Sequence, residues 1–148
     1  MTLVQEKTYT NHGAAIKESI AAFNKGNLDG TIAPYAEDAE SSDPTGTYKG
    51  KAQILASLKV WHTAFPDAKG DVTNQVTEGD QVVTEVIFRG THAGPLAGSM
   101  GTIPATGKKV ELLYAFVNSF RNGKIQRERA YFDLAGLMQQ LGNPQPKV

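Results

Sequence analysis

The chain of 148 residues has no cysteine and only three histidines. The missing cysteine excludes disulfides, thiol nucleophiles and cysteine-ligated zinc or iron–sulfur sites. His12, His62 and His92 lack the spacing of paired helical metal ligands, so we expect no bound metal. Carboxylates are therefore the main chemistry that this sequence offers.

The chain also lacks a net charge and a long apolar run. Fifteen Lys and Arg balance fifteen Asp and Glu, which argues against nucleic acid or an anionic membrane as the main partner. Residues 1–7 have no basic region followed by an apolar run, and no stretch approaches the ~18 apolar residues of a membrane span. We expect a cytoplasmic protein, although a chain without cysteine also suits an oxidising compartment.

Apolar residues at intervals of three and four predict helices. The first helix ends near Gly26, the third ends at Pro66, and a short closing helix ends at Gly142. The second is short, and its boundaries are not fixed by the pattern. The four stripes are Ile16, Ile20 and Phe23; Leu28, Ile32 and Tyr35; Ile54, Leu58, Trp61 and Phe65; and Leu134, Leu137, Met138 and Leu141.

Two hairpins are predicted after the third helix. Turn residues separate the strands 69–78 and 80–92, and Asn122-Gly123 separates the strands 108–120 and 124–132. Between the hairpins, residues 93–107 are rich in Gly and Pro, which indicates either a mobile lid or a crossover packed on a neighbouring subunit. Helices followed by strands predict one α+β domain over 1–148, with its core at 12–142 and a tail at 143–148.

Strand alternation predicts which side chains share a face. The strand 108–120 groups Tyr114, Phe116 and Asn118 on a concave face, where Tyr114 and Asn118 are the hydrogen-bonding groups. The last strand sets Arg127, Arg129, Tyr131 and Asp133 opposite Gln126, Glu128, Ala130 and Phe132. Both sets are amphipathic, and a bulge can exchange them, so the pocket-facing set stays open.

Two groups of motifs resemble known families. The runs 23–30 (FNKGNLDG), 35–39 (YAEDA) and 43–46 (DPTG) resemble the ketosteroid isomerase branch of the nuclear transport factor 2-like superfamily. The runs 90–96 (GTHAGPL), 104–108 (PATGK), 123–125 (GKI), 131–133 (YFD) and 140–142 (QLG) resemble the SnoaL-like polyketide cyclases. The resemblance implies a cone-shaped, curved antiparallel sheet packed on three N-terminal helices. It also implies a homodimer or higher homo-oligomer, and cofactor-free acid–base chemistry on a small apolar molecule.

The resemblance implies roles for two carboxylates. Asp133 falls where the cyclases carry their acid/base aspartate, although an Asp directly before a helix is also a favoured N-cap. Asp43 matches the general base of the isomerase, although Asp-Pro-x-Gly is also ordinary turn chemistry. Ser19 and Phe116 stand where the isomerase has its oxyanion donors, so steroid isomerase activity itself is not expected.

Other residues are candidates for substrate contact. His62 and Trp61 lie on or beside the buried face of the third helix, where His62 is either a catalyst or, as is more common for a lone histidine, a core or pocket-wall residue. His92 opens the 93–107 segment and either contacts substrate or fixes the loop. Arg129 orients Asp133 or binds an anionic substrate, or it forms a surface salt bridge, and Tyr131 shares its face.

Three functions follow from these residues. The first is a cofactor-independent aldol cyclase or isomerase that acts on an apolar carbonyl or polyketide-like compound. The second is a domain that binds a hydrophobic ligand or serves as a dimer scaffold without catalysis. The third is an epoxide hydrolase of the limonene-epoxide type, which requires Asp43, Arg129 and Asp133 to converge around a water molecule.

Overall fold

The computed structural model describes residues 11–148. Residues 1–7, on which the expectation about a leader peptide rests, lie outside this range. The helices are α1 His12–Asn24, α2 Leu28–Ile32, α3 Lys51–Ala64 and α4 Leu134–Gln140. The strands are β1 Tyr35–Asp43, β2 Gly46–Lys49, β3 Lys69–Glu78, β4 Gln81–Thr91, β5 Leu96–Gly98, β6 Gly101–Ile103, β7 Lys109–Arg121 and β8 Lys124–Tyr131.

Local chemistry sets the ends of the longer helices. The side chain of Asn11 caps α1 by accepting a hydrogen bond from the Ala14 amide at 3.1 Å. Gly26 follows α1 with φ of 72°, a left-handed conformation that glycine adopts without steric cost. Pro66 stands two residues beyond α3 and cannot continue its hydrogen bonding. The predicted ends of both helices are confirmed.

Six strands form one curved sheet in the order β2-β1-β8-β7-β4-β3. All neighbours pair antiparallel except β1 and β8, which are parallel. The four long strands predicted from the sequence are confirmed to within one residue at each end. The α+β class and the curved sheet are therefore confirmed, with one parallel pairing added.

The first two strands differ from the prediction. Tyr35 does not extend the second helix, which ends at Ile32; Pro34 intervenes, and Tyr35 begins β1. Asp43 and Gly46 close the turn that joins β1 to β2. The polar run of β1 forms a strand because it pairs with β8, almost a hundred residues later in the chain, and local propensity does not report such a partner.

The Gly- and Pro-rich segment contains a small hairpin of β5 and β6. Thr102 in β6 exchanges two backbone hydrogen bonds of 2.8 Å with Lys147, so the C-terminal tail is tied to this hairpin. A side chain at Gly101 would lie 2.7 Å from the Lys147 carbonyl oxygen, and its φ is 120°, so the close approach requires glycine. Movement of this segment as a lid stays a prediction.

The apolar interior consists of two clusters. One joins α1, α2 and α3 to the sheet around Ile16, Ile54 and Ile125, and the other joins α3 and α4 to the sheet around Phe65 and Leu137. Within residues 11–148 no helix is long and apolar enough to cross a membrane. The cytoplasmic location and the homodimer stay predictions.

Candidate active site

A cavity of about 150 Å³ lies where the helices meet the inner face of the sheet. Helices α1 and α3 each contribute four residues at the spacing i, i+3, i+4, i+7, which places them on one helical face. These residues are Ile16, Ser19, Ile20 and Phe23 from α1, and Ile54, Ser57, Leu58 and Trp61 from α3. The predicted helical stripes therefore build one wall.

The sheet supplies the opposite wall and most of the polar groups. Alternation brings Tyr114, Phe116 and Asn118 of β7 to the cavity, as the sequence predicted for this face. Further lining residues from the strands are Tyr35, Ser41, Asp43, Tyr48, Gly70, Val86, Phe88, Glu128 and Ala130. The surroundings are mostly aromatic and aliphatic, which lowers the local dielectric and strengthens electrostatic interactions inside.

Glu128 is the polar centre of the inner wall. Its carboxylate accepts hydrogen bonds from the Tyr35 hydroxyl at 2.6 Å, the Asn118 Nδ2 at 2.8 Å and the Ser41 hydroxyl at 3.1 Å. The three donors are at most 8% exposed. Burial, followed by the charge and hydrogen bond of Glu128, raises the pKa of Tyr35, so this phenol stays protonated and keeps donating. We call these four residues the Glu128 cluster.

A bulge in β8 brings Glu128 to the cavity. Residue Ile125 pairs with Phe120 and is fully buried, and the register then shifts so that Arg127 pairs with Ser119. Gln126 is the extra residue, and alternation resumes with Glu128 and Ala130 pointing inward.

The bulge also turns two candidate substrate contacts of β8 away from the cavity. Arg129 and Tyr131 lie on the face opposite Glu128 and do not line the cavity, and Tyr131 is 55% exposed. The sequence raised the possibility of a bulge, but nothing in its pattern located one.

Asp43 and Tyr114 face the cavity with free polar atoms. Asp43 Oδ1 accepts hydrogen bonds from the amide and hydroxyl of Thr45, whereas Oδ2 makes none within the described chain. The Tyr114 hydroxyl likewise has no hydrogen-bond partner among residues 11–148. Burial, and then the negative charge of Asp43, raises the pKa of Tyr114, so its hydroxyl remains a donor at neutral pH. The site thus combines a carboxylate oxygen without a partner and a protonated phenol.

Asp133 lies outside the cavity, at the N-terminus of α4. Its Oδ1 accepts a hydrogen bond of 2.8 Å from the Gly136 amide, and its backbone is extended as in an N-cap. Asp133 is exposed to solvent. The N-cap alternative is confirmed, and a catalytic role for Asp133 stays a prediction that this position does not favour.

Neither histidine candidate lines the cavity. His92 is fully buried, and its Nδ1 lies 3.2 Å from the Thr106 amide and 2.9 Å from the Thr106 hydroxyl, so it joins both ends of the 93–107 segment. His62 packs edge-on against Phe23 with a centroid distance of 6.4 Å. These positions match the structural alternative for both side chains.

A wider groove adjoins the cavity. Its volume is about 870 Å³, and it runs between α3, α4, the β5–β6 hairpin and the β1–β2 turn. Tyr48, Ser57 and Trp61 border both spaces. The two spaces therefore share one boundary.

The curved, unclosed sheet packed on helices is a fold that this chain shares with solved structures described as ketosteroid isomerase-like and NTF2-like. The sequence model of the SnoaL-like polyketide cyclases matches residues 14–141. The chain belongs to this family.

Individual relatives are distant. Aklanonic acid methyl ester cyclase AcmA of Streptomyces galilaeus is 25% identical over 140 residues, which cover 91% of this chain and 93% of that protein. IdmH of Streptomyces antibioticus, suggested to be a polyketide cyclase, is 27% identical with a TM-score of 0.74, over 88% of this chain and 97% of that one. AclR of Streptomyces galilaeus, suggested to be a hydroxylase, has a TM-score of 0.76 at 24% identity, over 92% and 87% of the two chains. The last likeness concerns the fold alone.

Proposed function

We propose that this protein is a cofactor-independent acid/base enzyme, an aldol cyclase or isomerase, that acts on an enolisable carbonyl compound. The observation that carries the proposal is the pairing of Asp43 and Tyr114 in one apolar cavity. Asp43 Oδ2 is free to take a proton from the carbon beside the carbonyl group. The Tyr114 hydroxyl donates a hydrogen bond to the carbonyl oxygen, where negative charge develops as the enolate forms.

The enolate has two outcomes that need no cofactor. Attack on a second carbonyl group of the same molecule forms a carbon–carbon bond and closes a ring, and return of the proton to another carbon isomerises the substrate. The cyclase outcome is favoured by the relationship to AcmA and IdmH. The groove beside the cavity leaves room for the remainder of a polyketide-like chain.

The epoxide hydrolase alternative is not supported by the positions of its three residues. Asp43 lines the cavity, whereas Arg129 lies on the opposite face of β8 and Asp133 caps α4. The trio therefore does not enclose a common water site. A ligand-binding domain without catalysis remains the competing function, and proton exchange distinguishes it from an enzyme.

Deuterium exchange tests the proposal without knowledge of the natural substrate. Enolisable ketones such as 2-tetralone and cyclohexanone are incubated with the protein in D₂O, and loss of the α-proton signal is followed by NMR. We expect wild type to accelerate exchange over buffer. Asp43→Asn should slow the enzymatic rate by about 10²–10⁴-fold, and Tyr114→Phe by about 10²–10³-fold.

Matched variants control for surface effects. Asp133→Asn and Tyr131→Phe make the same chemical changes outside the cavity, and both should stay within a few-fold of wild type. The proposal fails if wild type accelerates exchange of no ketone in the panel. It also fails if Asp43→Asn exchanges at the wild-type rate.

A further inference from the structure

The charge of the cavity is one-sided. Of the 21 lining residues within the described range 11–148, two are carboxylates, Asp43 and Glu128, and none is Lys, Arg or His. An anionic ligand would therefore meet repulsion without a compensating cation. A positively charged ligand would meet attraction, strengthened by the apolar walls.

Glu128 carries a partly buried charge without a counter-ion. No Lys, Arg or His within residues 11–148 forms a salt bridge with it. The bulge in β8 turns the neighbouring Arg127 and Arg129 to the other face. Charges removed from water are ordinarily paired, because hydrogen bonds alone restore only part of the lost solvation. A cation beside Glu128 would supply such a pairing.

The hydrogen-bonding groups beside Glu128 point to the same kind of ligand. The Tyr35 and Ser41 hydroxyls and the Asn118 Nδ2 already donate to Glu128. The Asn118 Oδ1, in contrast, is buried and has no hydrogen-bond partner in the described part of the chain, and the residue is 0% exposed. A buried acceptor left unpaired costs free energy. This independent observation calls for a ligand that donates hydrogen bonds.

The remaining walls suit an organic cation. Seven lining residues are aromatic: Phe23, Tyr35, Tyr48, Trp61, Phe88, Tyr114 and Phe116. Tyr114 stacks on Phe116 with centroids 5.4 Å apart, and Phe88 lies 5.8 Å from Tyr114 at a tilt of 47°. The electron-rich faces of such rings attract cations, and tryptophan does so most strongly.

We propose that the Glu128 cluster binds a protonated amine, so that the ligand is an apolar molecule with an ammonium group at its inner end. The N–H⁺ group donates to Glu128 and to the free Asn118 Oδ1. This inference rests on the proposed function, because it assumes that the same cavity is the substrate site. It adds that the substrate is positively charged.

Binding is measured with three probes of one shape: 2-phenylethylamine, which is cationic at pH 7, 2-phenylethanol, which is neutral, and phenylacetate, which is anionic. The chain has a single tryptophan, and it lines the cavity, so the fluorescence of Trp61 reports occupancy. We expect the amine to bind at least about tenfold more tightly than the alcohol, the effect of one charge-assisted hydrogen bond, and phenylacetate to bind more weakly than either.

Glu128→Gln keeps the size of the side chain and removes its charge. It should bring the amine and the alcohol to within about twofold of each other. Glu85→Gln makes the same change at an exposed position on β4 and should leave the preference intact. The wild-type comparison of amine with alcohol needs no variant, so it holds even if Glu128→Gln folds poorly.

Two results overturn the inference: the alcohol binds wild type as tightly as the amine, or Glu128→Gln retains the preference. Failure of the proposed function is recognised separately, because ketone exchange is measured without any amine. A chain that exchanges ketone protons but shows no amine preference keeps its function and loses this inference. A chain that prefers the amine but does not exchange ketone protons is an amine-binding domain without the proposed activity.

Discussion

The position of Asp133 gives a prediction that separates a structural role from a catalytic one. Its carboxylate caps α4 through the Gly136 amide at 2.8 Å. Loss of an N-cap costs about 1 kcal/mol. Leu137, one turn into this helix, is fully buried in the core, so the whole element contributes to global stability. Asp133→Ala should therefore lower the free energy of unfolding by about 1 kcal/mol, or Tm by about 2–4 °C for a domain of this size.

Asp133→Asn makes the test decisive. Asparagine caps a helix about as well as aspartate, but its amide cannot accept the proton that a general base removes. We expect the Asn variant to unfold within about 0.5 kcal/mol of wild type and to exchange ketone protons at a rate within a few-fold of it. Urea unfolding and NMR exchange on the same samples measure both quantities.

The opposite pattern would refute this reasoning. If Asp133→Asn keeps its stability but loses about 10²–10⁴-fold in exchange rate, Asp133 is the general base and the assignment to Asp43 is wrong. If Asp133→Ala unfolds like wild type, the hydrogen bond to Gly136 does not stabilise α4. Each variant thus contradicts a different part of the argument.

Two further predictions concern the segment around β5 and β6. A side chain at Gly94 would overlap the Thr63 carbonyl oxygen, so Gly94→Ala should destabilise by about 1–3 kcal/mol in urea unfolding, whereas Gly98→Ala, with no atom closer than 3.6 Å, should not. Burial lowers the pKa of His92 below its ordinary 6.5. As the pH falls, His92 is therefore protonated in the unfolded chain at a higher pH than in the folded protein. The free energy of unfolding should fall as the pH drops below 6.5. His92→Asn should make the free energy of unfolding depend less on pH in this range. Equal pH dependence in wild type and the variant would contradict the prediction.

The sequence reports local structure well. The helical stripes and the Asn122-Gly123 turn depend on near neighbours, so they are readable from the chain itself. Five of the predicted site residues line the cavity: Asp43, Trp61, Tyr114, Phe116 and Asn118. The last four follow from the period of their own elements, whereas Asp43 was identified by the family resemblance. The strand β1 could not be predicted from the sequence, because its polar residues pair with β8, which is distant in the chain.

The place of Glu128 in the cavity could not be predicted from the sequence. Its strand is amphipathic on both faces, and a single bulge at Gln126 decides which face meets the cavity. The donors that hold its carboxylate, Tyr35, Ser41 and Asn118, lie up to 93 residues away. No spacing rule joins positions so far apart, and a carboxylate beside arginines in sequence is read most simply as a surface ion pair.

The two carboxylates of the cavity divide its chemistry because their hydrogen bonds differ. Glu128 accepts three hydrogen bonds, two at Oε2 and one at Oε1, so Oε1 can still accept one more from a ligand. Asp43 keeps one oxygen without a hydrogen bond among residues 11–148, in the same cavity as Tyr114. Under the proposed function Asp43 moves the proton, and under the further inference Glu128 binds the ammonium group of the ligand.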